Sequence, residues 1–365
     1  MVFFVFEKKT ININKKMKTM KKLMIILSIV AVVLSSCNSS GKKKIDLSGA
    51  GATFPQPYYN LAFKSFQQKS GTAISYGAIG SGGGIRSLKD GIVDFAGSDA
   101  YLSDDEAAEM KAVIHIPSCL GAVVLSYNLP GIDKLNLTGP IVAAIFMGKI
   151  TKWNDPQIMA INEGISLPDK SITAVYRSDG SGTTYVFSDY MTKISPEWKE
   201  QIGTGKSLNF PIGIASKGNP GVAGTISQTE GSIGYIGSEY AFALKTTIAN
   251  LQNPAGEFIT PSAASISAAA QGDIPEDTRT MITNSTAPGA YPISCFTWLL
   301  VYQEQNYSKR TIEQAQATVD LMKYMIGDEA QSLTTQIHYA PLPQGVKEKA
   351  AKAISKITYN GYPLK

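Results

Sequence analysis

Histidine is nearly absent from this chain: its 365 residues hold two, His115 in the apolar run VIHIPS and His338 in IHYAPLP. Cysteine is almost as scarce, with Cys37, Cys119 and Cys295 alone. No His/Cys cluster falls at metal-ligand spacing, so a metal site would have to be built from carboxylates, and none is expected. No apolar run reaches the ~20 residues of a membrane-spanning helix. Lysine is missing where a nucleotide P-loop requires it, because Thr183 and Thr184 stand where GxxxxGK[ST] needs Lys-Ser/Thr. The GxSxG elbow of the α/β-hydrolases is missing around both Ser81 (AIGSGGG) and Ser181 (SDGSGTT). An excess of basic charge is lacking too once the first 36 residues are set aside. They hold seven lysines and one acid, and the rest carries 27 basic against 28 acidic residues, so the footprint of a nucleic-acid binder is absent.

What is present begins with an address. Lys18, Lys21 and Lys22 precede the 12-residue run Leu23 to Leu34, too short to span a membrane but of signal-peptide length. The run ends in Leu34-Ser35-Ser36-Cys37, similar to the lipobox of bacterial lipoproteins, in which the cysteine is diacylated and becomes the new N-terminus. Asn38 to Lys44 (NSSGKKK) then reads as a polar tether. Residues 1–36 are expected to be a signal peptide with an upstream extension, translation starting at Met17 or Met20, and residues 37–45 a lipidated tether. The remaining cysteines, in IPSCLGAVVL and YPISCFTWLL, read as small buried strand residues, and whether they pair stays open.

With 44% hydrophobic and 17% charged residues, the body has the composition of a globular protein of about two domains. Strands and helices alternate along it. Tyr59, Ala62, Phe63 and Phe66 put a helix over Gln56 to Gln68, ending before Gly71, and Ala73 to Gly77 reads as a strand. Ile85 and Leu88 mark a short helix, and Val93 to Ala96 a strand. Ser103 and Glu106 form a capping box for a helix near Ala107 to Ala112, and Gly121 to Tyr127 is a strand. Thr138 and Pro140 open a helix over Ile141 to Met147, closed by Gly148. Thr311 to Ile326, Asp328 to Ile337 and Val346 to Ile354 complete the helices. No period of 20 to 50 residues recurs, which excludes a solenoid. The alternation predicts an α/β fold with largely parallel sheets, whose ligands sit outside the carboxyl ends of strands.

Three Gly/Ser loops fall at such ends: GAGATFP (Gly49 to Pro55), GAIGSGGG (Gly77 to Gly84) and RSDGSGTT (Arg177 to Thr184). In the last, Gly180 and Gly182 allow a sharp turn and Ser181, Thr183 and Thr184 set hydroxyls beside amides where a helix begins, a setting that attracts an anion. Arg177 offers a planar fork of donors, although an arginine paired with Asp179 for stability alone fits the same residues. Asp99, in SDA, fits a turn cap equally well. Phe54, from its residue type, belongs to the core.

GAGATFP, IGSGGG, VDFAGSDA, GKITKWND, RSDGSGTTYVF, FPIGIASKGN and GSIGYI, in that order, resemble the phosphate-binding lipoprotein family of the bacterial phosphate ABC importer, the PstS family, from about Leu47 to Leu342. The resemblance implies a two-lobed periplasmic-binding-protein fold of type II with the ligand in the cleft between lobes. The chain would cross between lobes near Leu120 to Asn128 and Ile236 to Phe242, with residues 46–120 plus 243–365 in one lobe and 121–242 in the other. It further implies extracytoplasmic capture of inorganic phosphate, delivery to ABC permease subunits, a membrane-anchored periplasmic location through lipid on Cys37, and no enzymatic activity or cofactor. By the same resemblance the phosphate contacts fall on Thr53, Phe54, Ser81, Asp99, Arg177, Ser181, Gly182 and Thr183, with Asp179 orienting the guanidinium. Two departures stand out: GSGGG has a glycine where many relatives carry a second serine, and Pro220 occupies a usually polar spot. Two alternatives remain. One is an exported phosphoester hydrolase using Ser81 or Ser181 with His115 or His338 and Asp99 or Asp179, and the other is a carrier of sulfate or molybdate.

Overall fold

The computed structural model describes residues 45–365 as one unit. The leader read at 1–36, Cys37 and the tether as far as Lys44 lie outside the described residues.

The unit is built around a nine-stranded mixed sheet. Its first half is made by β1 (Asp46–Gly51), β2 (Ala73–Ala78) and β3 (Phe95–Ser98), with β1 parallel to both neighbours. The second half contains β6 (Thr173–Arg177), β7 (Ile214–Ser216) and β8 (Ser232–Gly237), with β6 parallel to both of the others. The strand β4 (Val113–Tyr127) belongs to both halves. Val113 to Ala122 run antiparallel to β12 (Ser294–Tyr302), and Val123 to Tyr127 antiparallel to β8. It runs through the core of both halves, and every residue of it after Val113 is buried.

Pro117 hides this strand from a sequence reader, because a proline cannot donate to the ladder and argues against a central strand. The chain answers with a bulge: Thr297 faces Cys119 while Trp298 faces Pro117, leaving Ser118 as the extra residue. Ser118 Oγ donates to Thr297 O at 3.2 Å and lies 3.0 Å from Tyr59 Oη, so its polarity is satisfied in the core. The expected strand Gly121 to Tyr127 thus starts eight residues earlier, at Val113. In consequence the helix expected near Ala107 to Ala112 ends at Ala108, although its capping box is present in both bonds.

Other local signals hold. The first helix spans Gln56–Ser70 and stops at Gly71, whose left-handed φ of 76° no side chain tolerates readily. Thr138 caps the helix Gly139–Phe146, and the C-terminal helices form at Ile312–Ile326, Asp328–Thr334 and Gln344–Ile354. Cys119 and Cys295 are buried free thiols in the neighbouring strands β4 and β12.

The segment after Phe242 stays beside the second half. Strand β9 (Thr247–Ile248) pairs with Ser126 and Tyr127 of β4, while β10 (Asn250–Gln252) joins β5 (Asn136–Leu137) and β11 (Phe258–Ile259) in a small sheet. The chain regains the first half with β12. Among the described residues, no helix is long and apolar enough to cross a membrane.

Candidate functional site

The three Gly/Ser loops leave the carboxyl ends of β1, β2 and β6, and the turn after β3 carries Asp99. Parallel pairing places the first two loops and Asp99 side by side, and the shared strand β4 brings the loop after β6 against them. The approach is close. Gly82 N donates to Gly180 O at 2.9 Å, and Gly182 N donates to Ser81 Oγ at 3.1 Å. A Cβ on Gly80, whose φ is 87°, would lie 2.4 Å from Asp179 Oδ2, and one on Gly182 would lie 2.4 Å from Ser81 Oγ. Both glycines are therefore required by the contact between loops.

Arg177, the last residue of β6, is buried within this contact. Its Nε and Nη2 donate to the two carboxylate oxygens of Asp179 at 2.8 and 2.6 Å, and Nη1 donates to Thr183 Oγ1 at 3.3 Å. The side chain is 1% exposed against 13% for Asp179. Burial by itself raises the Asp179 carboxyl, but the hydrogen bonds and charge of Arg177 and the Gly218 N–H outweigh it and hold it below its ordinary range. Three of the five guanidinium N–H groups are thus committed, and two remain without an acceptor among the described residues.

Asp99 is fully buried. Its Oδ1 accepts from Thr297 Oγ1 at 2.9 Å and its Oδ2 from Thr183 Oγ1 at 3.4 Å. Burial pushes its carboxyl up to about 7 against the opposing pull of Thr297, Arg177 and Thr183. Ser81, at the start of the helix Ser81–Lys89, accepts from Asp99 N at 3.3 Å and from Gly182 N. Ser181 caps the helix Gly182–Ile194 by accepting from Thr184 N at 3.0 Å, and with Gly182 N on Ser81 the amide of Thr183 is left without a partner among the described residues, at the positive end of the helix.

The structure therefore gathers Ser81, Asp99, Arg177, Asp179, Ser181, Gly182 and Thr183 into one cluster. Thr53 joins through Asn219, whose backbone N and Nδ2 donate to Thr53 Oγ1 at 3.0 and 2.9 Å. Phe54 lies next to Thr53 in the chain, yet its ring packs edge-on against Tyr339 in the core, as its residue type suggested. The histidines take no part. His115 Nε2 accepts from Leu102 N at 3.0 Å, and burial lowers the imidazole to about 3; the ring of His338 lies against Phe242. No hydrogen bond joins either to Ser81 or Ser181 among the described residues, which leaves the hydrolase reading without a base.

Sequence reasoning passed over Asn219, Thr297 and Tyr235. Tyr235 Oη accepts from Arg177 N at 3.2 Å and lies 2.8 Å from Thr184 Oγ1, fixing both ends of the Arg177 loop. Asn219 closes the motif FPIGIASKGN and could have been found there. Thr297 is signalled only by being polar inside the apolar strand SCFTWLLVY.

A family model described as a PBP superfamily domain matches residues 38–329. The phosphate-binding protein PstS of Xylella fastidiosa is 41% identical over 306 residues, covering 82% of each chain. That of Pasteurella multocida is 37% identical over 83% of this chain and 88% of its own. A high-affinity periplasmic phosphate-binding protein solved with bound phosphate superposes with a TM-score of 0.66, at 24% identity, over 84% of this chain and 93% of that one. At that identity the superposition speaks for the fold, the α/β periplasmic-binding-protein fold of type II. Each of these relatives is named a phosphate-binding protein. With a superfamily model over most of its length and relatives above 35% identity along four-fifths of it, this chain belongs to the PstS family of phosphate-binding proteins.

Proposed function

We propose that this protein captures inorganic phosphate outside the cytoplasm and hands it to the permease subunits of an ABC importer, without chemical turnover. The observation that carries the reading is the set of uncommitted donors around Asp99. Ser81 Oγ accepts from two backbone N–H groups and donates to nothing among the described residues, and two Arg177 N–H groups are likewise unspent. Buried donors without acceptors are costly, and an anion oxygen relieves that cost. With Arg177 neutralised by Asp179, the site holds its anion mainly by oriented dipoles. We assign the contacts to Thr53, Phe54 through its backbone, Ser81, Asp99, Arg177, Ser181, Gly182 and Thr183. The names of the relatives favour phosphate over sulfate or molybdate.

Closure of two lobes on the ligand belongs to the same reading. The change of partner along β4 at Ala122/Val123 supports one crossing there. The pairing of β9 and β10 with β4 and β5 supports a second lobe that continues beyond residue 242 to about Ile259.

Titration calorimetry of the protein lacking residues 1–37 is expected to show one phosphate per chain, weaker heats with sulfate and molybdate, and no hydrolysis of a phosphoester. Absence of phosphate heat, or steady phosphoester turnover, would sink the reading. The leader and Cys37 belong to it as well: the protein is held by lipid on Cys37 at a membrane surface facing the periplasm. Cys37→Ala is expected to move it into the soluble periplasmic fraction, and continued retention in washed membranes would remove the anchor from the proposal.

A further inference from the structure

Asn219 lies in the first turn of the helix Gly218–Gln228, fully buried, and each of its polar groups is used. Its Nδ2 donates to Thr53 Oγ1 at 2.9 Å and to Thr183 Oγ1 at 3.1 Å, while Oδ1 accepts from Gly237 N at 2.9 Å. The two ends of a side-chain amide are distinguished by their partners, and here the partner decides: a backbone N–H can only donate, so the atom facing Gly237 is the oxygen. The amide nitrogen must then face both threonines.

A hydroxyl has two acceptor positions and one proton. At Thr53 both acceptor positions are filled from Asn219, by its backbone N–H and by Nδ2, and among the described residues the proton has nowhere to go. At Thr183 the acceptor positions are filled by Arg177 Nη1 and Asn219 Nδ2, so that proton is aimed at Asp99 Oδ2. One side chain thus sets the direction of the proton at two hydroxyls. It does so from a position tied to three separate segments: the turn after β1, the helix after β6 and the end of β8.

We infer that Asn219 is a positioning residue for anion recognition, forcing the Thr53 hydroxyl to act only as a donor toward the bound anion. The inference rests on the phosphate reading above. Its chemical content is one of direction. A threonine free to rotate can point its proton at any nearby carbonyl and offer a lone pair to the ligand, whereas one saturated with N–H donors can only give. Sites built from neutral groups need such control, because a hydroxyl turned the wrong way repels the anion it is meant to hold.

The test is a double-mutant cycle read by phosphate calorimetry on wild type, Asn219→Asp, Thr53→Val and the double variant. Asn219→Asp keeps the shape and the acceptor for Gly237 N–H, but it turns the donor facing Thr53 into an acceptor that draws the proton away from the ligand. Asn219→Asp is expected to weaken phosphate binding by about 100-fold, and the loss it causes is expected to be at least about tenfold smaller in the Thr53→Val background, where there is no proton to divert. General repulsion from the new carboxylate is common to both backgrounds and cancels in the cycle. Equal losses in the two backgrounds, or an Asn219→Asp variant within about threefold of wild type, would overturn the inference. If Asn219→Asp lacks a cooperative melt, Asn219→Ala replaces it. That change removes the Nδ2 donor without adding charge, and its loss must be at least about fivefold larger with Thr53 present than with Thr53→Val; equal losses overturn the inference in this form too. Failure of wild type to bind phosphate is a separate result, since it removes the phosphate reading itself and the inference with it.

Discussion

Replacing Arg177 by alanine is expected to weaken phosphate binding by roughly 150-fold or more, equivalent to about 3 kcal/mol. One N–H on Nη1 and one on Nη2 are not spent on Asp179 and Thr183 and lie in a buried setting, and a hydrogen bond to a charged group contributes about 1.5–3 kcal/mol. The same change strands Asp179. Breaking a buried pair costs ~3–5 kcal/mol of stability, and the lower end applies because Asp179 is partly exposed and keeps the Gly218 N–H. Arg177→Lys is expected to recover only part of the affinity: an ammonium cannot bond both Asp179 oxygens and still present a planar pair of donors to the ligand. Calorimetry on both variants, with folding checked by circular dichroism, provides the measurement. An alanine variant that folds and binds phosphate as wild type does would place the site elsewhere.

The second large effect is one of selectivity. Asp99 accepts one hydrogen bond on each oxygen from Thr297 and Thr183, which leaves acceptor positions open on a carboxylate that has about four. Phosphate at neutral pH still has a proton to give to them, and sulfate does not. Against sulfate, Asp99 is a buried like charge, and such a juxtaposition costs several kcal/mol. Asp99→Asn is expected to shift the phosphate-to-sulfate preference toward sulfate by about 100-fold or more, with sulfate affinity rising because the amide can donate. Competitive calorimetry at a fixed pH of about 8.5, where Asp99, raised by burial to about 7, is ionised and phosphate still carries a proton, measures this, and an unchanged preference would reduce Asp99 to a turn cap.

The same substitution carries a signature in stability without ligand. Burial raises the Asp99 carboxyl from 3.8 to about 7, so between those values the folded protein holds a proton that the unfolded chain has lost. That contribution is fully present below pH 3.8 and is lost as pH rises through about 7. Glu239, buried and also raised, acts in the same direction. Asp99→Asn should therefore flatten the fall in melting temperature between pH 4 and 7, and an unaltered slope would show that Asp99 ionises in the fold as it does in water.

What the sequence determined by itself is whatever rests on contacts a few residues long. The cap of Ser103 by Glu106, the stop at Gly71, the opening at Thr138 and Ser181 at the head of its helix each depend on partners within one turn, so residue type and spacing suffice. Ordered motifs did the same for the family and for the loops that line the cluster. The tertiary structure decided the rest. Strand β4 could not be read through Pro117, since only β12 on the other side of the bulge makes a proline acceptable there. Thr297 binds Asp99 across 198 positions and Asn219 binds Thr53 across 166, so nothing near either residue in the chain announces its role. Nor could the choice between Arg177 as a structural partner of Asp179 and Arg177 as a ligand group be made from residue types. The fold makes the pairing with Asp179 and leaves two donors over. A donor or acceptor is defined by what the folded chain leaves unpaired, and that account closes only when segments far apart in sequence meet.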